Sequence, residues 1–353
     1  MAPTDITFHP AWWHERGFSF DETFFLDCET RMRIDREMRR TLFDEFGSYG
    51  LGERDPVIRP LIDSDLLAGE FVQALLIGCD VQFDKAALPF VHSLNMTDTQ
   101  LHEFKPAELA ENPYWKPYAK QYEQLFNRFS RVESYMDMHG VQNLALSIRG
   151  QTLFEDYYMD ADTARKTLEI AYKTICAVAG EVRKYTPSTS IGVTSIIRQI
   201  DPDLYVTSDC SCDLISLETY ETFLFEYDSK LSRQFMPFGI HHCGGNMQRL
   251  APAYARLAPA FIEIGAFSDI SNTLKHFDIA TAVNLRYSPR DLATKTPEEI
   301  RHETVRMKQE AAVFERVSLS CVGIDADAPK ANITAFLEAA QYDAPFVTAA
   351  AIF

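Results

Sequence analysis

The chain has 353 residues, of which 46% are hydrophobic and 24% are charged, an ordinary composition for a globular protein. Acidic residues outnumber basic ones by 51 to 34, and a formal net charge of −17 disfavours binding to nucleic-acid phosphates and anionic lipid. We find no apolar run of about 18 residues and no basic segment followed by an apolar one, so neither a membrane span nor a signal peptide is expected. Seven thinly spread cysteines predict reduced thiols in a cytoplasm rather than a disulfide framework.

Residues 1–70 predict an irregular N-terminal extension that contains one strong helix. In residues 31–46 (RMRIDREMRRTLFDEF), Met38 and Leu42 recur at helical spacing, and Gly47 follows as a stop signal. The arginines between these apolar positions fit a solvated helix face better than an anion-binding site.

From residue 71 onward, apolar segments that end in polar residues alternate with amphipathic helices. The predicted strands are 143–150, 203–216, 235–246, 260–269, 279–289 and 318–329, and residues 71–84 are interpreted as either a helix end or a strand. The predicted helices are 160–182, one starting near residue 217, 247–258, 296–314 and 330–340. This alternation, without a Gly/Ser linker, predicts a single α/β domain: a (β/α)8 TIM barrel over residues 71–353, with the extension packed on it.

The candidate chemistry gathers at the predicted strand ends. In residues 235–246 (FMPFGIHHCGGN), His241 and Cys243 lie two positions apart on a strand and point the same way, whereas His242 points the other way. A barrel would bring Cys321, at the end of the last strand, to the same rim. One imidazole and two thiolates with an open fourth position form a zinc set. Taken alone, His-x-Cys is a weak signal, and plain packing of the cysteines is the alternative.

The sequence leaves the fourth metal position open. Cys210 and Cys212 of the string SDCSCD lie at a neighbouring strand end, and a carboxylate or water would also serve. Asp209, Glu218 and Glu263 compete as carboxylate ligands or as bases near the metal.

Three motifs carry a resemblance to a known family: HHCGG (241–245), NLRYSPRDLATKTPEEI (284–300) and CVGIDADAPKANI (321–333). Together they resemble the uroporphyrinogen decarboxylase superfamily. Within it, the chain is most similar to the zinc methyltransferases that work with corrinoid proteins, of the methylcobamide:coenzyme M methyltransferase type. That branch binds zinc through His-x-Cys and one further Cys far downstream, which here fall on His241, Cys243 and Cys321.

The same resemblance implies two acidic site residues. Asp80 matches the position of a substrate-binding aspartate in the decarboxylases, and Asp209 matches the acidic residue that closes the strand before the LISLETYE helix. With Glu218 they are the predicted catalytic groups, and Tyr220 and Tyr287 are predicted to bind substrate, with core packing as the alternative. The arginine motif with which the decarboxylases hold propionates is missing, which argues against porphyrinogen decarboxylation.

The resemblance implies a zinc-dependent methyltransferase that moves a methyl group between a corrinoid protein and a small-molecule donor or acceptor of thiol or folate type. Zinc would coordinate the substrate heteroatom and, for a thiol, lower its pKa. The sequence lacks a DxHxxG string for an axial histidine, so the corrinoid (cobalamin) is expected on a partner protein. We expect a cytoplasmic protein, as a homodimer, with no nucleic-acid or membrane partner.

Two other functions fit the sequence. One is a metal-independent decarboxylase or lyase of the same superfamily that uses Asp80. The other is a noncatalytic barrel that serves as the partner of a corrinoid protein. The sequence leaves the methyl donor, the acceptor and the direction of transfer open.

Overall fold

The centre of the fold is a six-stranded parallel sheet that curls as a half-barrel. A computed structural model describes residues 3–67, 69, 71–106, 108–187 and 201–341. The strands of this sheet are β1 Thr4–Phe8, β6 Tyr205–Ser208, β7 Phe238–His242, β8 Phe261–Ile264, β9 Ala282–Tyr287 and β10 Val317–Ile324. They follow the order β1-β10-β9-β8-β7-β6. The α/β class predicted from the alternating pattern is confirmed.

Two short strands continue the parallel order beyond β6. β2 (Leu61–Ile62) pairs in parallel with β5 (Glu133–Ser134). An isolated parallel bridge from His139 to Ser208 then joins the segment after β5 to β6. The parallel order in the described part of the chain therefore runs from β1 through β6 to β5 and β2. A separate antiparallel hairpin pairs β3 (Asp80–Gln82) with β4 (Phe90–His92).

Helices follow most of the strands, and none that the structure describes is long and apolar enough to cross a membrane. The helices are Pro10–His14, Glu22–Leu26, Cys28–Phe46, Val72–Leu76, Asp98–Glu103, Trp115–Phe129, Val141–Arg149, Thr152–Met159, Ala161–Val182, Leu217–Thr219, Phe225–Gln234, Met247–Ala255, Ile270–Leu274, Pro289–Thr294, Pro297–Glu310 and Lys330–Gln341. Side-chain caps fix several starts: Thr296 and Glu299 form a capping box at Pro297–Glu310, and Asp27 caps Cys28–Phe46.

The structure corrects one predicted strand and adds another. Of residues 143–150, predicted as a strand, 143–149 lie in the helix Val141–Arg149, where Leu144, Ala145 and Ile148 form one buried helical face, and Gly150 caps its end. A short apolar run satisfies both periodicities, so pattern alone did not decide between them. Thr4–Phe8, within the predicted extension, is β1 and pairs with β10. The domain boundary at residue 70 stays a prediction.

The two faces of the sheet differ in character. On the outer face, Leu285, Tyr287 and Leu319 join the main apolar core together with the helices, and the ring of Tyr287 lies 5.2 Å from that of Phe336. On the inner face, a separate small apolar cluster comprises Leu204, Val206, Phe261, Ala282 and Val322. In β6, β8 and β9, polar side chains occupy the next inner-face positions toward the carboxyl ends of the strands, as Ser208, Glu263 and Asn284.

A half-buried residue with a desolvated carboxyl group, Asp63, follows β2. Asp63 has a φ of 61°, a left-handed conformation that Asp and Asn tolerate better than most residues. Burial raises the pKa of Asp63 to about 7, although Arg31 and the backbone N–H of Ser64 act to lower it. Arg31 itself is buried and donates to Leu61 O at 3.2 Å and to Gln121 Oε1 at 2.6 Å. The folded chain therefore favours the neutral form of Asp63.

We predict that Asp63→Asn flattens the pH dependence of stability. The stabilisation from a raised carboxyl pKa is complete below the unfolded value of 3.8 and is lost as the pH rises through about 7. The amide stays neutral and tolerates the same φ, so the variant should be more stable than the wild type at pH 8 by about 1 kcal/mol or more, with little difference at pH 4. Urea unfolding at both pH values measures this.

Asp27→Asn provides the contrasting variant. The side chain and backbone N–H of Thr30 lower the pKa of Asp27, so the stabilisation from Asp27 is present above the unfolded pKa and is lost as the pH falls. This variant should lose stability at pH 8 and little at pH 3. Parallel curves for Asp63→Asn and the wild type would contradict the role given to Asp63.

Candidate metal centre

One level of the inner face is polar across five strands. The parallel register pairs Ser208 with His241, His241 with Glu263, Glu263 with Asn284, and Asn284 with Ser318. Residues paired in this way in a parallel sheet point to the same side. The level is cross-linked where Asn284 Nδ2 donates to Ser318 Oγ at 3.0 Å. A row of polar side chains therefore crosses the inner face next to the small apolar inner cluster.

Two thiols extend this level at the ends of β6 and β7. Cys210 and Cys243 each lie two residues beyond the Ser208–His241 pair, and Cys210 opens a 3-10 turn, Cys210–Leu214. Donor atoms of Cys210, His241 and Cys243 all lie within 4.8 Å of one another. The two sulfurs are 2.6 Å apart, both cysteines are half-buried, and His241 is buried. Two thiols and an imidazole are a donor set suited to zinc.

Buried charges hold the imidazole in place. Glu263 Oε2 lies 2.9 Å from His241 Nδ1, and Arg286 NH1 lies 3.1 Å from Glu263 Oε1 and 3.4 Å from His241 Nε2. Burial alone would lower the pKa of His241, but Glu263 and Cys210 raise it to about 10. Burial would raise the pKa of Glu263, but His241 and Arg286 bring it below its usual value. Glu263 is therefore ionised and lies against the Nδ1 edge of the ring, while Arg286 lies against the Nε2 edge.

An open cavity of about 400 Å³ reaches the cluster from one side. Its lining residues are Asn143, Leu146, Cys210, Ser211, Asp213 and Leu214. Asn143 Oδ1 accepts from Ser211 N at 3.0 Å and so ties the turn after β6 to the helix Val141–Arg149. Asp213 Oδ1 forms an ion pair with Arg249 NH2 at 3.6 Å. The cavity gives a small molecule access to Cys210.

A glycine contact positions the loop that carries Cys243. A Cβ at Gly265, directly after β8, would lie 2.1 Å from Gly244 O and 2.6 Å from Cys243 O. The backbone after β7 can therefore approach β8 this closely only because residue 265 has no side chain.

The structure does not bring Cys321 to His241 and Cys243, and Cys210 takes its place in the cluster. Cys321 pairs with Tyr287 and with Ile6 on the outer face and is fully buried in the main apolar core. The preceding residue of β10 occupies the inner face instead. Because adjacent residues of a strand point to opposite faces, Ser320 faces the inner side of the sheet and Cys321 faces the helices.

The predicted catalytic carboxylates also lie elsewhere. Asp209 turns to the outer face, where burial and the neighbouring Asp228 raise its pKa well above the usual range. Glu218 is exposed in the first turn of Leu217–Thr219. Asp80 is exposed on the β3–β4 hairpin, opposite His92. None of the three belongs to the described donor cluster, and their catalytic roles stay predictions.

The predicted substrate-binding tyrosines are core residues of the outer layer. Tyr220 is fully buried and donates to Asp228 Oδ2 at 2.6 Å. Tyr287 is buried against Phe336. Cys212, an alternative fourth ligand, is buried on the same side and contacts Tyr254.

Sequence reasoning missed Arg286. It stands within the apolar segment of β9, where a cation without an acidic neighbour in sequence is unusual, and that position is the signal that could have found it. It also treated Glu263 as a competing ligand, whereas the structure places this carboxylate against Nδ1 of His241.

Comparison with known proteins identifies a solved structure with a similar fold. No family model matches the chain, and no curated protein matches it either. Among solved structures, the chain is similar to a methyltransferase from Methanosarcina mazei, with a TM-score of 0.64 over 96% of this chain and 93% of that one. Because the sequences are 14% identical, this likeness shows a shared fold alone.

We predict that Cys210→Ser abolishes zinc binding whereas Cys321→Ser leaves it unchanged. The first change removes a sulfur donor from the cluster, and the second acts in the apolar layer on the other face of the sheet. Metal content per chain after dialysis against zinc, measured by atomic emission, decides between them. Loss of zinc in Cys321→Ser with an intact circular dichroism spectrum would restore Cys321 as a ligand.

We predict that Gly265→Ala weakens zinc binding by displacing the Cys243 loop. The added methyl group would overlap two backbone oxygens, which cannot rotate away. Gly180→Ala is the matched control, because a Cβ at Gly180 meets nothing within 4 Å and alanine favours the helix Ala161–Val182. Zinc affinity, from competition with a chromogenic chelator, should fall for Gly265→Ala alone; equal affinities would show that the loop tolerates the methyl group.

Proposed function

We propose that this protein is a zinc-dependent methyltransferase whose metal is held by Cys210, His241 and Cys243. One observation carries the proposal: three soft donors from two neighbouring strand ends converge beside an open cavity. The fold shared with a protein named as a methyltransferase supports the choice of reaction. The methyl group would pass between a corrinoid protein and a small molecule with a nucleophilic heteroatom, such as a thiol.

The donors fit zinc in number, type and charge. Two thiolates and one imidazole leave the fourth tetrahedral position for a substrate atom, as in catalytic zinc sites. The two thiolates balance the charge of Zn²⁺, and Glu263 balances Arg286, so the loaded site would carry no net charge. A balanced charge lowers the cost of burying such a site.

Each protein group has a distinct task in this proposal. When bound, zinc supplies a Lewis acid that keeps a substrate thiol ionised at neutral pH. Glu263 lies 2.9 Å from His241 Nδ1 and positions the ring, and zinc would replace Arg286 as the partner of Nε2. Cys210 stands on the cavity wall, so a substrate enters from that side. Leu146 and Leu214 give the wall an apolar surface suited to a methyl group.

The proposal includes a closed (β/α)8 barrel and a separate corrinoid protein. The parallel order from β1 through β6 to β2 supports closure by contact of β2 with β1. The missing DxHxxG string supports a corrinoid carried by a partner. A cytoplasmic homodimer remains part of the proposal. The decarboxylase alternative depends on Asp80, which is exposed on a hairpin away from the polar inner level.

We predict methyl transfer from methylcobalamin to a thiol, tested with a panel that includes coenzyme M. Zinc-loaded protein should bind about one zinc per chain and convert methylcobalamin to cob(I)alamin, as followed by absorbance without oxygen. Cys243→Ala should lose both zinc and turnover, because it removes a donor. Turnover by zinc-free protein that matches the loaded form would reject the zinc mechanism.

Glu263→Gln tests the support of the imidazole without removing a donor. We expect zinc affinity to fall by about 10- to 100-fold, since the amide cannot hold the Nδ1 proton as a carboxylate does. Glu298→Gln is the matched control, on an exposed first turn of Pro297–Glu310. Equal zinc affinities in the two variants would show that Glu263 does not orient His241.

A further inference from the structure

The distance between the two thiols of the cluster does not match metal chelation alone. Cys210 Sγ and Cys243 Sγ are 2.6 Å apart. Two sulfurs on one zinc, each at about 2.3 Å and at a tetrahedral angle, would be about 3.8 Å apart. A disulfide bond is about 2.05 Å long. The observed separation lies nearer to the bonded distance than to the chelating one.

The backbone also suits a cross-link. β6 and β7 are paired neighbours, with Ser208 opposite His241, and each cysteine lies two residues further along its chain. Neighbouring strands are about 4.8 Å apart, which falls within the Cα separation of about 4.4 to 6.8 Å that disulfides span. A bond between Cys210 and Cys243 would therefore join the ends of two paired strands.

We propose that Cys210 and Cys243 are a covalent modification site: they form a reversible disulfide that excludes metal from the cluster. A sulfur in a disulfide has no thiolate to donate, so the oxidised chain retains His241 alone of the three donors. The inference rests on the proposed function only in naming zinc as the excluded metal. The disulfide itself depends on the geometry of the two thiols.

The oxidant is a peroxide, which can reach the pair through the cavity at Cys210. The Cys210 thiolate attacks one peroxide oxygen, which breaks the O–O bond and gives a sulfenic acid and hydroxide. The Cys243 thiolate then attacks the sulfenic sulfur and displaces a second hydroxide, and the two protons from the thiols convert both hydroxides to water. Two thiols lose two electrons and one hydrogen peroxide gains them. A dithiol reductant reverses the bond by exchange.

The other cysteines provide controls within the same chain. Cys28, Cys79, Cys212 and Cys321 are buried. Cys176 is half-buried like the pair, but its sulfur lies 3.5 Å from Gln234 Oε1. Cys176→Ser should therefore leave the oxidation unchanged.

The test treats reduced full-length protein with one equivalent of hydrogen peroxide and maps its peptides by mass spectrometry. We expect a Cys210–Cys243 cross-link and a loss of two free thiols from seven, both reversed by dithiothreitol. Zinc-loaded protein should release its zinc to a chromogenic chelator as the cross-link forms. Cys210→Ser and Cys210→Ala should form no cross-link, and circular dichroism verifies that each variant folds.

The outcomes separate this inference from the proposed function. Zinc binding without any 210–243 cross-link, or oxidation to sulfinic acid instead, overturns the disulfide and leaves the zinc proposal intact. A cross-link in protein that never binds zinc rejects the zinc proposal and retains the disulfide. A cross-link that forms while zinc stays bound overturns the exclusion.

Discussion

The candidate metal centre depends on the parallel register between β6, β7 and β8. This register places Ser208, His241 and Glu263 side by side on the inner face. Because side chains alternate along a strand, a slip of one residue would turn His241 toward the helices and bring His242 inward. His242 faces the outer layer, where its Nδ1 lies 3.2 Å from Tyr254 OH. Burial there lowers the pKa of His242 to about 4. Two adjacent histidines thus have pKa values shifted in opposite directions because they face different layers.

On the inner face, the buried charged side chains are stabilised by ion pairs with one another. Glu263 is 3% exposed and would be costly to bury alone. It lies between His241 and Arg286, and both lower its pKa. The result is a fixed carboxylate that orients the imidazole instead of competing for a metal.

In the outer layer, the buried carboxyl groups of Asp209 and Asp228 have raised pKa values instead of pairing with cations. Asp209 and Asp228 are both almost fully buried, and burial raises the pKa of each, that of Asp228 to about 6. Tyr220 donates to Asp228, and the pair requires at least one neutral carboxyl group to avoid repulsion between like charges. An acidic residue at a strand end can therefore belong to the packing layer as well as to an active site.

The sequence by itself determined the alternation of strands and helices after residue 200, the helices 31–46 and 160–182, and the candidate pair His241 and Cys243. These follow from local periodicity, helix caps and the alternation of side chains along a single strand, all of which depend only on residues close in sequence. Tertiary structure alone decided that Cys210 joins the cluster while Cys321 packs outward, that Arg286 pairs with Glu263, and that Thr4–Phe8 belongs to the sheet. The physical reason is that register between strands distant in sequence fixes which face each residue occupies, and no local pattern encodes that register.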